Sequence, residues 1–296
     1  LMCRHSVNRQ ELMKRIHDGE LGPVQLIRAY RMEPCGGMSP NRPSGMKELF
    51  WQIRNRTHVL WVSGGLWAEM DIHQIDEICW LKDDHYPVSA HGVCGRTAVS
   101  KDAGQGFDSF TVEYTFDDGA KAYDVVRYIP NCYTEFATFV HGTKRAAQFS
   151  GAVHAGACHI YRDQRCAPVK ISARYDRASG QYVYTEEART NREDILWRAP
   201  KENYTCWQAE WNVLLDSIRK DRSQNEAQRA AYSNLTGLMG RAAMHMGQVI
   251  TWDQMLQSNF ELCPNIDTMT EDSPPPVMPD ADGYYPAPVP GKWVEV

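Results

Sequence analysis

A glutamate and a histidine lie four residues apart in the segment Gly64–Asp76, at positions Glu69 and His73. Apolar residues recur at helical spacing through this segment, which predicts one helix over residues 65–80. Positions four apart share a face of a helix, so the carboxylate is expected beside the imidazole. Such a neighbour raises the histidine pKa, and the pair can then take a proton from a hydroxyl and return it. The alternative is a surface Glu–His pair without chemistry.

The cysteines and histidines do not form a metal-binding pattern. Two sets have the residue types of zinc ligands but lack the close ligand pairs of structural zinc sites: Cys79, His85, His91 and Cys94, and His154, Cys158, His159 and Cys166. We therefore expect no metal. The nine cysteines are odd in number and scattered, which predicts mostly free, buried thiols in a reducing compartment and favours a cytoplasmic protein.

Composition excludes several broad classes of protein. The chain has 296 residues, which suggests about two domains, and a net charge of −5, which argues against a general nucleic-acid binder. No apolar run of about 18 residues predicts a membrane span. The sequence contains no G-x-G-x-x-G, Walker or G-x-S-x-G motif, because Gly104-x-Gly106 lacks a third glycine. No phosphate-binding loop is therefore expected in this chain.

The pattern of apolar residues changes three times along the chain. Residues 8–18 read as a helix, with Asn8 and Glu11 placed as a capping box. Residues 88–190 follow period two and predict mostly antiparallel strands, with a hairpin turn at Asp117–Gly119. Residues 203–257 return to helical spacing.

Two further features lie towards the C-terminus. A stripe of large apolar residues is expected to face the core, comprising Trp207, Trp211, Leu214, Leu215 and Ile218. Residues 272–296 are rich in proline and predict an extended, polyproline-like tail. The predicted organisation is one α/β domain over residues 1–271 followed by this tail.

Several segments, taken in order, resemble the Gfo/Idh/MocA oxidoreductases, a family that includes glucose–fructose oxidoreductase and inositol dehydrogenase. The likeness spans nearly the whole chain, although no single segment is decisive. The segments that carry it are Cys3–His5, Arg15–Gly22, Trp51–Asn55, Trp61–Gly65, Ile72–Asp76, Pro87–Ala90, Phe107–Asp108, His141–Lys144, Tyr204 with Glu210, Gly247–Asp253 and Tyr285–Gly291.

The resemblance implies an enzyme with two domains. An N-terminal Rossmann domain would bind NAD or NADP, and a C-terminal α/β domain would cover the substrate. This chain resembles the second part only: a large, mostly antiparallel sheet with helices packed on one face. The glycine fingerprint and the Glu-Lys-Pro lysine of the family are both absent, so the chain is expected to be a C-terminal fragment that is inactive alone.

The family's catalytic histidine corresponds to His73. Its partner position, an aspartate in many members, holds Glu69, which leaves open whether Glu69 acts directly or only orients His73. His73 would accept the hydroxyl proton of a sugar or polyol while hydride leaves the same carbon. Trp51, Arg54 and Asp76 are expected substrate contacts, although a surface salt bridge explains Arg54 equally well. Homo-oligomers would form through the face of the sheet.

Other functions stay open from the sequence. The same family chemistry can serve an NAD-dependent glycosidase, in which a transient ketone permits elimination. A non-catalytic module that binds a carbohydrate or mediates oligomerisation is a further class, and a metal-dependent enzyme is a third. Export to the periplasm is the alternative to a cytoplasmic location.

Overall fold

A computed structural model describes residues 1–35, 37–38, 42–97, 103–166, 170–187 and 192–296. Its strands are β1 (Val24–Met32), β2 (Ser89–Gly95), β3 (Ser109–Thr115), β4 (Lys121–Arg127), β5 (Glu135–Gly142), β6 (Ala146–Ser150), β7 (His159–Tyr161), β8 (Lys170–Asp176), β9 (Gln181–Glu187), β10 (Ile195–Arg198) and β11 (Ile250–Thr251). Its helices are α1 (Val7–His17), α2 (Glu48–Arg54), α3 (Leu60–Ser63), α4 (Gly65–Met70), α5 (Ile72–Leu81), α6 (Cys206–Arg219), α7 (Ala227–Met246) and α8 (Trp252–Gln257).

Nine strands form one sheet in the order β10-β7-β6-β5-β1-β4-β3-β2-β11. Only β1 and β4 run parallel, with Ile27 opposite Ala122, and the other neighbours are antiparallel. The predicted fold class, a mixed α/β fold with a large and mostly antiparallel sheet, is confirmed. The predicted hairpin at Asp117–Gly119 joins β3 to β4. Strands β8 and β9 pair separately, and residues 98–102, 167–169 and 188–190 of the predicted strand region lie outside the described residues.

The core lies between the sheet and the helices α5 and α7. Alternate residues of β3 are buried, as expected for a strand with one covered face. Helix α7 packs on β2 and β3, and α5 packs on β1, β4 and β5. Trp67 and Tyr114 fill this interface, and each donates a hydrogen bond to a backbone carbonyl of α7, at Gly237 and Thr236 respectively. These bonds hold α7 against α4 and the sheet.

The first helix begins earlier than its sequence pattern indicates. The N-cap is Ser6, whose hydroxyl accepts a hydrogen bond from the backbone N–H of Arg9. The expected capping box at Asn8 and Glu11 is therefore wrong. Asn8 instead donates to the carbonyl of Pro200, 192 residues away, a contact that local spacing cannot indicate.

The apolar stripe of α6 is not part of the core. The helix forms as predicted, but Trp211 is 58% exposed and Ile218 is 66% exposed. Only the first turns of α6, around Cys206, pack against Met2–His5. Periodicity shows that a helix has an apolar face, but it does not show what covers that face.

The proline-rich tail, residues 272–296, contains no helix or strand, and parts of it are anchored. Tyr285 packs with Trp51 and Met38. Near the end of the chain, the Glu295 carboxylate accepts hydrogen bonds from Arg241 at 3.0 Å and from His245 at 2.6 Å. These partners hold the pKa of Glu295 near 2 despite its burial. The division into residues 1–271 and a tail stays a prediction.

Candidate active site

His73 lies in the first turn of α5, where its partly exposed ring meets a second histidine. The rings of His73 and His154 are edge to face, with centroids 4.4 Å apart. The His154 ring also contacts Phe136 at 4.9 Å and Trp207 at 6.0 Å. Four elements distant in sequence thus build one niche with aromatic walls: α5, β5, the 3₁₀ turn Ala152–His154 and α6.

His154 is held in place by a strained backbone. Val153 has φ 49° and His154 has φ 59°, the left-handed region that a β-branched residue such as valine rarely adopts. Each such residue costs on the order of 1 kcal/mol, so the surroundings must impose the conformation. Arg9 does so in part, since its Nη2 donates to the carbonyls of His154 at 3.2 Å and Ala155 at 3.3 Å.

A buried ion pair lies behind this turn. Nη2 of Arg9 is 3.1 Å from Oε1 of Glu77, and both side chains are almost wholly removed from solvent. The other Glu77 oxygen accepts hydrogen bonds from Thr138 at 2.6 Å and Ser150 at 2.7 Å. A buried charge needs such partners, because an unpaired charge would cost several kcal/mol. The pair therefore joins α1, α5 and the sheet beneath the niche.

The structure reverses the expected pKa shift of His73. Burial, helped by the positive charge of Arg31, lowers the pKa of His73 to about 4. Burial likewise lowers the pKa of His154 well below its usual value, with His73 adding to the effect. Nδ1 of His73 is buried and has no hydrogen-bond partner in the described part of the chain. At neutral pH the niche therefore presents an uncharged imidazole.

The expected pairing of Glu69 with His73 is also wrong in its geometry. The predicted single helix over 65–80 is two helices, because the chain turns at Asp71 between α4 and α5. Glu69 forms an ion pair with Arg56 at 2.9 Å, and no hydrogen bond joins Glu69 to His73 among the described residues. Helical spacing across a break does not place two side chains on one face, so Glu69 cannot raise the histidine pKa as expected.

Asp71, two residues before His73 in the chain, is one of two buried carboxyl groups that interact with each other. The other is Asp124, and both side chains are wholly buried. Burial raises the pKa of Asp71 to about 6, and burial with the Asp71 charge raises the pKa of Asp124 well above its usual value. Two adjacent carboxylates avoid repulsion by sharing a proton. This arrangement leaves the pair with one negative charge, not two, at neutral pH.

A thiol completes the surroundings of His154. Sγ of Cys3 lies 3.6 Å from Nδ1 of His154. The Cys3 thiol also hydrogen-bonds to Cys206, which together with burial raises the pKa of Cys3 well above its usual value. One ligand-type atom from each of Cys3, His73 and His154 lies within 4.8 Å of the other two. All nine cysteines are free, as expected.

The remaining site residues from the sequence lie in different surroundings. Asp76 is wholly buried, and its carboxylate accepts hydrogen bonds from Arg4 at 2.9 Å and Ser233 at 2.8 Å. These contacts give it a structural role rather than the expected substrate contact. Trp51 is 7% exposed and packs against the tail, which also disfavours such contact. Arg54 is exposed at the end of α2, and its contact with a substrate stays a prediction.

Sequence reasoning missed most of the niche. The sequence groups His154 with Cys158, His159 and Cys166, whereas its partners in space include residues 3 and 73. Arg9 and Glu77 look like ordinary helix-surface charges in the sequence, yet both are buried. Only the run of apolar residues around Glu77 indicates burial there.

The residues present do not provide a dinucleotide site. A nicotinamide dinucleotide is held by a glycine-rich turn between a strand and a helix. The sequence has no such motif, and Gly104 and Gly106 precede β3 instead of a helix. We therefore derive no hydride-transfer step from this chain. In the described part of the chain, no helix has both the length and the apolar character needed to span a bilayer.

Solved structures share this fold. An aldose-aldose oxidoreductase from Caulobacter crescentus, complexed with glycerol, matches 84% of the chain with TM-score 0.55 and 19% identity. Two similar structures are myo-inositol 2-dehydrogenase from Lactobacillus plantarum, with TM-score 0.52 and 16% identity, and scyllo-inositol dehydrogenase from Lactobacillus casei, with TM-score 0.51 and 16% identity. Each covers 84% of this chain.

The extent of the match limits what it shows. The chain spans 62% of the length of the Caulobacter and L. casei structures and 63% of the L. plantarum structure. No protein-family model and no curated protein sequence matches it. At these identities the likeness establishes the fold: the chain has the α/β fold of these sugar and polyol oxidoreductases, as the resemblance to Gfo/Idh/MocA proteins implied.

Proposed function

We propose that this chain is the substrate-binding part of an NAD(P)-dependent oxidoreductase that acts on a carbinol of a sugar or polyol. The observation that carries the proposal is the partly exposed, neutral His73 in a niche walled by Phe136 and Trp207, on a fold shared with such enzymes. Its Nδ1 has no hydrogen-bond partner among the residues that the structure describes. A dinucleotide bound outside this chain would supply the hydride acceptor.

The chain's own residues would bind the substrate and handle its proton. A neutral imidazole nitrogen accepts a hydrogen bond from a hydroxyl and takes its proton as the carbinol is oxidised. Aromatic rings provide apolar surface for the C–H face of a sugar ring, and Tyr182 stacks on Trp207 at 6.1 Å to extend that surface. Glu69, paired with Arg56, would act on a substrate at most indirectly.

The test is direct binding of polyols by this chain. We expect calorimetry to show binding of myo-inositol or an aldose. His73→Gln should raise Kd by about 3- to 10-fold, the range for one lost hydrogen bond. The matched control is His85→Gln, at an exposed histidine that bonds to the nearby carbonyl of Lys82. The proposal fails if no polyol binds, or if both variants bind like the wild type.

The same protein distinguishes the alternative functions. Release of an aglycone from an aryl glycoside by the chain joined to its dinucleotide-binding part, with NAD⁺ present and without net NADH, would indicate the NAD-dependent glycosidase. Binding of a polymeric carbohydrate that is unaffected by His73→Gln would indicate a non-catalytic module. The proposed function predicts neither result.

A further inference from the structure

We propose that Cys3, His73 and His154 bind a divalent transition-metal ion of the zinc class. The three residues come from the first 3₁₀ turn, α5 and the turn after β6, and one ligand-type atom of each lies within 4.8 Å of the others. A thiolate with two imidazoles is a donor set that suits Zn²⁺ in preference to Mg²⁺ or Ca²⁺, which take oxygen ligands.

The observed spacing matches metal coordination. Zn–S and Zn–N bonds of about 2.3 and 2.0–2.1 Å at a tetrahedral angle separate the two ligand atoms by about 3.5 Å. Sγ of Cys3 and Nδ1 of His154 are 3.6 Å apart, so these two atoms already stand at that separation. The nitrogen of His73 needs to close by no more than about 1.5 Å to reach a coordinating separation.

The environment of His73 Nδ1 is a second, independent indication of a metal site. This atom is buried and has no hydrogen-bond partner in the described residues, although buried polar atoms in folded proteins almost always have one. A metal ion in the cluster would use a lone pair that the protein leaves without a partner.

Groups behind the ligands hold them in position. Metal-binding histidines are usually oriented by a second layer of hydrogen bonds. Here Arg9 bonds to the carbonyl of His154 and stabilises the left-handed turn that aims its ring. Cys206, which interacts with the Cys3 thiol, can donate a hydrogen bond to the sulfur once the metal has displaced the Cys3 proton.

Three protein ligands leave a fourth position open, which is typical of catalytic rather than structural zinc. His73 is the only partly exposed ligand, so the open position would be reached from its side of the cluster. An oxygen ligand, either water or a hydroxyl, fits there. Use of this position by a substrate hydroxyl rests on the proposed function, whereas binding of the metal does not.

The test is metal content and cobalt spectroscopy of the full chain under reducing conditions. After dialysis against Zn²⁺ we expect one zinc per chain by mass spectrometry. Loading with Co²⁺ should give a thiolate-to-cobalt charge-transfer band. Cys3→Ser should remove this band, and His154→Gln should remove tight binding. The control is Cys79→Ser, at a buried thiol that bonds to Thr236 instead. Circular dichroism confirms that each variant is folded.

If Cys3→Ser or His154→Gln does not fold, His73→Gln, at the least buried ligand, tests the site in its place. The proposal is overturned if the wild type retains no zinc, or if His73→Gln and Cys3→Ser bind Co²⁺ as the wild type does. Zinc binding without polyol binding would support the metal site and reject the proposed function. Polyol binding that depends on His73, in a protein that retains no zinc, would support the proposed function and reject the metal site.

Discussion

The rings of His73 and His154 meet edge to face at 4.4 Å, and burial lowers the pKa of both. Two imidazolium ions at this distance would repel each other, and Arg31 and Arg9 add further positive charge. The niche is therefore stable only while both rings are neutral. This property makes the site sensitive to acid, and it leads to the first prediction.

Acid should destabilise the protein through His73. The unfolded state binds a proton near pH 6.5, whereas folded His73 binds one only near pH 4, so stability falls as pH drops between these values. Urea unfolding in EDTA at several pH values should show a smaller fall for His73→Gln, by on the order of 2 kcal/mol at pH 4.5. Equal pH slopes for the two proteins would contradict this prediction.

Asp124→Asn should stabilise the protein at neutral pH. The raised pKa of the Asp71–Asp124 pair means that the folded state holds a proton that the unfolded state loses above pH 3.8. Stability is therefore lost as pH rises above 3.8 and through the folded-state pKa values of the pair, about 6 for Asp71 and raised further still above the usual range for Asp124, opposite to the effect of His73. Asparagine removes the charge at nearly the same side-chain volume.

The measurement is the free energy of unfolding at pH 7.5 and at pH 3.5. We expect a gain of about 1–3 kcal/mol for Asp124→Asn at the higher pH and a much smaller difference at the lower pH. Asp117→Asn, in the exposed β3–β4 turn, is the control and should change neither value. A loss of stability at pH 7.5 would show that the Asp124 carboxyl has a favourable partner.

Arg9→Met should be strongly destabilising. It removes the partner of the buried Glu77 carboxylate, and such uncompensated charges cost about 3–5 kcal/mol. It also removes the donor to the His154 carbonyl, so the metal affinity of the folded fraction should fall. Lys220→Met breaks an exposed pair with Asp216 and should cost less than about 1 kcal/mol in urea unfolding. Similar losses for the two variants would refute the structural role of Arg9.

Asp76→Asn should affect stability but not substrate binding, and Arg54→Met should affect substrate binding but not stability. Asp76→Asn weakens the buried contact with Arg4 and should lower the free energy of unfolding by about 1–3 kcal/mol without changing Kd for a polyol. Arg54→Met, at an exposed position, should leave stability unchanged and weaken binding if Arg54 contacts the substrate. Paired unfolding and calorimetry data decide both roles. A change in Kd for folded Asp76→Asn would restore its role as a substrate contact.

The sequence pattern correctly predicted those elements that are held together by interactions between residues near each other in the chain. Helices α1, α7 and α8 and the β3–β4 hairpin follow from periodicity and turn residues, because hydrogen bonds between near neighbours build them. The same reasoning failed at Asp71. Asp71 both ends α4 and begins α5. Because only one residue separates the two helices, the spacing of apolar residues is almost that of a single helix and does not reveal the break.

The sequence by itself determined the fold class, the main helices and strands, and the helical conformation at His73. Only the tertiary structure decided the partners of His73. Cys3, Arg9 and His154 come from distant parts of the chain and meet His73 through a strand order that inserts β1 between β4 and β5. Burial then reversed the expected charge of His73, because a pKa depends on the desolvation and charges around a group in space and not on its neighbours in the chain.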